Sequence, residues 1–272
     1  MESKMEKIGK AAFIGAGKMA GAIVGGMIAN GFTASDISAF DVSEAAAAAF
    51  TEKTGIKVYT DAVENAIKDA DTIILAVKPQ HMTSALMSVK TKLQNALIIS
   101  IAAGLTLKRL AELTGSRRLI RVMPNTPALV CAGISAYTLD EGASEADAKT
   151  AETILGAIGQ YVRVEEKLMD AVTGVSGSGP AYVFDFIQGI ADGGVHEGLP
   201  RDIALKLAIQ TVLGSAELAK QSGEHPNVLR DMVTSPGGTT ARALAVLDKG
   251  AFRGLVAEAV IAASKRSAEL GK

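Results

Sequence analysis

Tryptophan is absent from this 272-residue chain, which has only one cysteine, three histidines and four tyrosines. Each shortage removes a class of explanation. A lone Cys131 cannot close an intramolecular disulfide, which fits a reducing compartment. His81, His196 and His225 stand far apart, without metal-ligand spacing, and each reads as a surface or capping residue. Cys131 has no histidine in its own motif and no G-x-S-x-G elbow occurs, which argues against covalent and metal-dependent mechanisms alike. Charge imbalance is missing too: 28 basic against 29 acidic side chains leave a formal net charge of -1. Nothing here attracts nucleic acid or an anionic membrane. No stretch approaches the ~18 apolar residues of a membrane span. The opening "MESKMEKIGKAAFIGAG" lacks the longer apolar core and cleavage site of a secretory signal. A cytoplasmic protein with neither nucleic-acid nor membrane partners is expected.

What is present divides in two. Up to about residue 164, short β-rich runs alternate with helical patterns: strands at 10–15, 36–41, 56–60, 71–77, 96–104, 118–124 and 133–139, with helices such as 18–31 and 43–55 between them. "DTIILAV" and "ALIISIAAG" are nearly continuous apolar runs, as strands buried on both faces should be. This rhythm predicts a doubly wound α/β domain. Beyond 164 the β-branched clusters vanish, and helices are predicted over 179–197, 200–222, 225–233, 239–248 and 251–270, with a helix joining the halves directly. The helical half has few large aromatics with which to fill a core. It is either a small alanine-packed bundle or half of a core shared between two chains, and the second reading is preferred.

"FIGAGKMAGAI" carries G-x-G-x-x-A at a strand–turn–helix junction. Gly15 permits the tight turn, Gly17 lets a pyrophosphate approach the backbone and Ala20 allows close helix packing, while Ala16, Lys18 and Met19 complete the turn. The first half is thus a Rossmann-type dinucleotide domain. Asp41 ends the second strand, where an acid hydrogen-bonds the ribose 2′-OH of NADH and repels the 2′-phosphate of NADPH. Glu44 adds negative charge, and no basic residue stands between Asp41 and Lys53. The alternative is that Asp41 only caps the next helix, a task open to Ser43. "AVKPQH" (Ala76, Val77, Lys78, Pro79) and "VMPNTPA" close the fourth and sixth strands, at carboxyl ends where open sheets bind ligands. Asn125 both donates and accepts, which suits a ribose or a nicotinamide amide; rigid turn chemistry from Pro124 and Pro127 is the plainer reading.

Two glycine-rich segments interrupt the helical half. "GVSGSGPAYVF" sets Ser176 and Ser178 before Pro180, and "SPGGTT" sets Gly237, Gly238, Thr239 and Thr240 at a helix start. Each reads as a helix N-terminus with free N–H groups, fit for an anion such as a carboxylate, or else as a simple cap.

Taken together, "FIGAGKMA", "AVKPQ", "RVMPNTPALV", "VSGSGPAYVF", "GLPRDIALKLAIQTVLG" and "MVTSPGGTTARALAVLDKG" resemble the pyrroline-5-carboxylate reductase family in order and approximate spacing, over nearly the whole chain. The resemblance implies an oxidoreductase that transfers hydride from NADPH or NADH to the C=N bond of 1-pyrroline-5-carboxylate, the last step of proline biosynthesis, without a metal. It implies a Rossmann domain (1–164) and an all-α dimerisation and substrate domain (165–272), with homodimers often assembled into decamers. The dinucleotide would lie on residues 15–20, on Ala76–Pro79 and near Asn125. The substrate would lie against the "SPGGTT" turn. There the Gly238 and Thr239 amides would hold its carboxylate and Thr240 its ring nitrogen, with Ser176 and Ser178 lining the pocket. Many members favour NADPH; Asp41 tilts this chain towards NADH. Two competing readings are a reductase of the β-hydroxyacid dehydrogenase type, for which mid-helix Lys206 is the only candidate catalytic lysine, and a nicotinamide-binding sensor without turnover.

Overall fold

Segments of three to seven residues, aliphatic in the middle of the sheet and more polar at its edges, become the strands in the computed structural model, which describes residues 8–271. They are β1 (Ala11–Ile14), β2 (Ile37–Phe40), β3 (Lys57–Tyr59), β4 (Thr72–Leu75), β5 (Leu97–Ser100), β6 (Leu119–Met123), β7 (Gly133–Leu139) and β8 (Gly159–Arg163). They form one sheet in the order β3-β2-β1-β4-β5-β6-β7-β8. The order reverses beside β1, the switch point at which such sheets open a crevice above the strand ends.

Helices α1 (Lys18–Ala29), α2 (Glu44–Thr54), α3 (Val63–Ile67), α4 (Met82–Leu86), α5 (Leu107–Thr114) and α6 (Glu145–Gly156) connect the strands and cover both faces. Phe13, Ile74 and Ile99 point to the face that carries Ile23 and Met27 of α1 and Ile154 of α6. Their neighbours Ile14, Leu75 and Ile98 point the other way, onto Val63, Leu86 and Leu110. Alternating residues therefore bury on opposite sides, and each large side chain removed from water contributes roughly 1.5–3 kcal/mol. Helix ends follow local chemistry. The Ser43 hydroxyl accepts the Ala46 N–H to start α2, Gly55 ends it in the left-handed region, and Ser144 and Asp147 form a reciprocal capping box on α6.

Two features depart from the sequence expectation. β7 runs antiparallel to β6, because only a 3₁₀ turn (Thr126–Val130) joins them and a parallel return needs a crossover of about a dozen residues. β8, parallel to β7, was not anticipated: its "GQYVR" is largely exposed at the sheet edge and has no apolar run to announce it.

Past β8 the chain is helical: α7 (Met169–Val172), a π turn (Thr173–Gly177), α8 (Gly179–His196), α9 (Arg201–Ser222), α10 (Pro226–Met232), α11 (Thr239–Lys249) and α12 (Phe252–Leu270). Secondary structure changes after Arg163, whereas packing groups residues 178–261 as one compact unit and the remaining described residues, including 262–271, as the other. Within the 178–261 unit, the buried core is Ala191, Ala204 and Ala208, with Ile187 and Val195 beside them. Phe184, Leu207, Leu213 and Leu255 are each more than half exposed. Three alanines cannot offset the ordering of so many residues, and apolar surface on this scale marks an association face. Among the described residues, no helix is long and apolar enough to cross a membrane.

Candidate active site

At the switch point, the Gly15 amide donates to Phe40 O, and Gly15 takes a φ of 106° that an L side chain rarely adopts. A Cβ there would also meet the Ala76 carbonyl carbon at 2.8 Å, so only glycine lets the β1 turn lie against the segment after β4. Gly17 is different: a Cβ on it would meet no atom within 4 Å, projecting into the space before α1. Gly17 caps α1 without a side-chain acceptor. Among the described residues, the N–H groups of Lys18, Met19 and Ala20 have no acceptor, and Ala20 is buried against the sheet. A bare helix start behind a side-chain-free approach fits a pyrophosphate.

Asp41 lies across this turn. Its Oδ2 accepts the Ala16 N–H at 2.8 Å and its Oδ1 the Ser43 N–H at 2.9 Å. Asp41 thus braces the loop into α2 and the glycine turn together, while the capping of α2 falls to the Ser43 hydroxyl beside it. Each Asp41 oxygen keeps a second lone pair, leaving capacity to accept a hydroxyl.

Gly15, Gly17, Asp41, Ala76, Val77 and Lys78 border one cavity of about 570 Å³. Its walls include groups that the sequence reading did not single out: Asp61 and Glu64 beyond β3, and His81, Ser84 and Ser88 around α4. The signal was available, because Asp61 lies at the carboxyl end of a parallel strand just as Asp41 does. Its carboxyl is held below the usual range by the Ala62 N–H and the Asn65 side-chain amide. Pro79 begins the 3₁₀ turn that leads into α4.

Asn125 is buried after β6, outside the residues that border the cavity. Its Oδ1 accepts the Ile134 N–H at 2.9 Å, which fixes the amide and leaves Nδ2 and the second oxygen lone pair for other partners. His225 caps α10, its Nδ1 accepting the Asn227 N–H. Among the described residues, no three His, Cys, Asp or Glu side chains group as a metal site.

The two glycine-rich segments diverge. At Ser176–Pro180, α7 continues into the π turn, a bend at Ser178 follows, and α8 starts at Gly179 as expected; the Ser176 hydroxyl donates to Val172 O at 3.1 Å. Within the first turn of α8, the Ala181 N–H donates to Ser178 O at 3.0 Å. Ser178 sits at the junction in helical conformation without a capping bond.

At "SPGGTT" the helix start follows a tight turn instead. Pro236 and Gly237, with φ 71° at Gly237 and the Gly238 N–H donating to Ser235 O at 3.0 Å, make a type II turn. Gly238 then caps α11 with no side-chain acceptor. The Gly238 amide is therefore occupied, and the N–H groups left without an acceptor among the described residues are those of Thr239, Thr240 and Ala241. Thr240 is half-buried and Thr239 exposed.

Comparison with known proteins matches this arrangement along the chain. Residues 166–270 match the family model described as pyrroline-5-carboxylate reductase dimerisation. Residues 10–104 match that described as NADP oxidoreductase coenzyme F420-dependent. A pyrroline-5-carboxylate reductase of Arabidopsis thaliana is 46% identical, over 97% of this chain and 96% of its own. That of Escherichia coli is 43% identical over 98% and 100%. Among solved structures, the pyrroline-5-carboxylate reductase of Coxiella burnetii superposes with a TM-score of 0.91 at 35% identity, covering 98% of this chain and 100% of its own. That of Plasmodium falciparum, with NADP bound, gives 0.88 at 36% identity over 98% and 100%. The glycine turn, the braced acid and the glycine-capped α11 thus lie in a chain aligned end to end with these enzymes, and the protein belongs to the pyrroline-5-carboxylate reductase family.

Proposed function

We propose that this chain reduces 1-pyrroline-5-carboxylate to L-proline with a reduced nicotinamide dinucleotide, and that it uses NADH in preference to NADPH. The observation that carries the reaction is identity of 43–46% to reductases of that name over at least 95% of the chain. The preference rests on Asp41, whose fixed carboxylate borders the glycine-turn cavity. A 2′-phosphate brings about two negative charges towards it, whereas a 2′-hydroxyl can donate to it.

When bound, the nicotinamide supplies the hydride. A cyclic imine protonated on nitrogen is already electrophilic, so what the protein must provide is position. The α1 start and the Ala76–Pro79 segment orient the dinucleotide, and the Asn125 Nδ2 donates to its nicotinamide end. The substrate carboxylate sits on the Thr239–Ala241 amides at the positive end of α11, in place of the Gly238 amide that the turn has taken up. The Thr240 hydroxyl hydrogen-bonds the ring nitrogen, and Ser178 lines the same pocket. As hydride adds to the imine carbon, the C=N π electrons become the nitrogen lone pair and the product is a secondary amine.

The exposed faces of α8–α12 pair two chains into a homodimer, and dimers assemble further into a decamer in the cytoplasm. The dinucleotide domain spans 1–164, and the dimerisation and substrate domain 165–272. Loss of reduced-cofactor absorbance on adding racemic pyrroline-5-carboxylate, with proline as product, tests the reaction. Turnover of a hydroxy acid instead would favour a β-hydroxyacid dehydrogenase.

A further inference from the structure

Three carboxylates border the cavity, from Asp41, Asp61 and Glu64. Among the described residues, the basic groups bordering it are Lys78 and His81, both on the segment after β4. Asp41 N donates to Tyr59 O, so the end of β3 is hydrogen-bonded to the residue that follows β2, and Asp61 comes two residues later. Asp61 is also fixed. The Asn65 Nδ2 donates to its Oδ2 at 2.9 Å from one turn into α3, so the carboxylate cannot swing freely away. Glu64 is less committed to the cavity, since its Oε1 lies 4.0 Å from the Lys92 ammonium. Like Asp41, Asp61 is therefore held in place and without a basic partner at salt-bridge distance among the described residues, with the Lys57 charge acting on it from farther away.

We infer that Asp61 is a second specificity-determining residue, which acts with Asp41 to disfavour a dinucleotide bearing a 2′-phosphate. The inference rests on the proposed placement of the adenosine ribose beside Asp41. Asp61 contributes through charge at a distance, with no hydrogen bond to the ribose required. Two carboxylates at the ends of adjacent strands repel a dianion additively, and a repulsion through solvent-exposed groups is screened over a Debye length of about 8 Å at physiological salt. One consequence separates the two residues: Asp61 discrimination weakens with added salt more than that of Asp41, which stands against the glycine turn itself. Replacing Asp41 alone therefore leaves a residual bias against NADPH.

The test compares kcat/KM for NADPH and NADH in wild type, Asp41→Ser, Asp61→Asn and the double variant, at low and high potassium chloride. The amide introduced by Asp61→Asn still offers an oxygen to Asn65, so α3 keeps its start. The inference expects Asp61→Asn to raise the NADPH-to-NADH ratio about fivefold at low salt, the effect of one exposed charge interaction of ~1 kcal/mol. It expects the gain to shrink at high salt and to multiply with that of Asp41→Ser. A ratio within 1.5-fold of wild type in Asp61→Asn, or a shift unaffected by salt, overturns it. Wild type preferring NADPH would overturn the proposed NADH preference instead. The Asp61→Asn ratio would still read out the role of Asp61, so the two failures are distinguishable. Glu64→Gln serves as a control, expected to shift the ratio less than Asp61→Asn; an equal or larger shift assigns the discrimination to the acidic wall as a whole and overturns the special role of Asp61.

Discussion

Thr240 is the side chain on which the proposed chemistry turns. It is the second residue of α11, half-buried, with its amide unpaired among the described residues. Removing the hydroxyl in Thr240→Ala leaves the amide in place and should lower kcat/KM for the imine at least tenfold, about 1.4 kcal/mol of transition-state interaction, with cofactor affinity unchanged. A value within twofold of wild type would remove Thr240 from the mechanism. Asp41→Ser should raise the NADPH-to-NADH ratio of kcat/KM, measured as initial rates with the two reduced cofactors, and an unchanged ratio would show that loop bracing is its whole task. At this scale the turn at Gly15 was legible, because its φ of 106° and the Ala76 backbone beside it exclude other side chains. Asn125 was only half legible, since its commitment to Ile134 depends on β7 folding back beside it. Asp61 was missed although it follows a strand that the sequence announces; its place beside Asp41 comes from the pairing of β3 with β2.

Among the secondary-structure elements, α6 illustrates how charge and capping combine. Asp147 closes the capping box with Ser144 and also receives Arg118 Nε and NH2, the latter at 2.7 Å. Burial pushes its carboxyl up, but Arg118 and the Ser144 groups outweigh that and hold it below the usual carboxylate range. Because its folded pKa is depressed, its contribution is complete above the unfolded value of about 3.9 and fades as pH falls through the lower folded one. Asp147→Asn should lower the urea unfolding free energy by about 1–3 kcal/mol at neutral pH, with the gap to wild type closing in acid. A constant gap would mean that the carboxylate charge is not what matters. Central strands could be read from sequence because burial on both faces leaves unbroken apolar runs. β8 could not, lying exposed at the edge, and the reversal of β7 follows from the length of a connection. Ser178-Gly179-Pro180 was read correctly as the start of α8, although the π turn just before it was not foreseen. "SPGGTT" was likewise read correctly as a helix start, because Pro236-Gly237 is turn chemistry that α-helix cannot absorb.

For the whole molecule, the 178–261 unit has the surface of a partner-seeking module. Its buried core is alanine, while Phe184, Leu213 and Leu255 face outward. Sedimentation equilibrium at micromolar concentration should find no stable monomer, and Leu213→Glu should dissociate or precipitate the protein; a well-folded wild-type monomer would contradict the shared core. The two-part organisation was visible as a change from β-branched alternation to long amphipathic stretches. The return of residues 262–271 to the first unit was not visible, being a matter of tertiary packing alone. The central claim joins both parts in one reaction, and one assay addresses it. Purified protein with NADH and racemic pyrroline-5-carboxylate should oxidise the cofactor and form L-proline in equal amounts. Thr240→Ala should be impaired, and Lys206→Ala should not. Cofactor consumption without proline, or none with the imine but turnover of a hydroxy acid that depends on Lys206, would contradict the account.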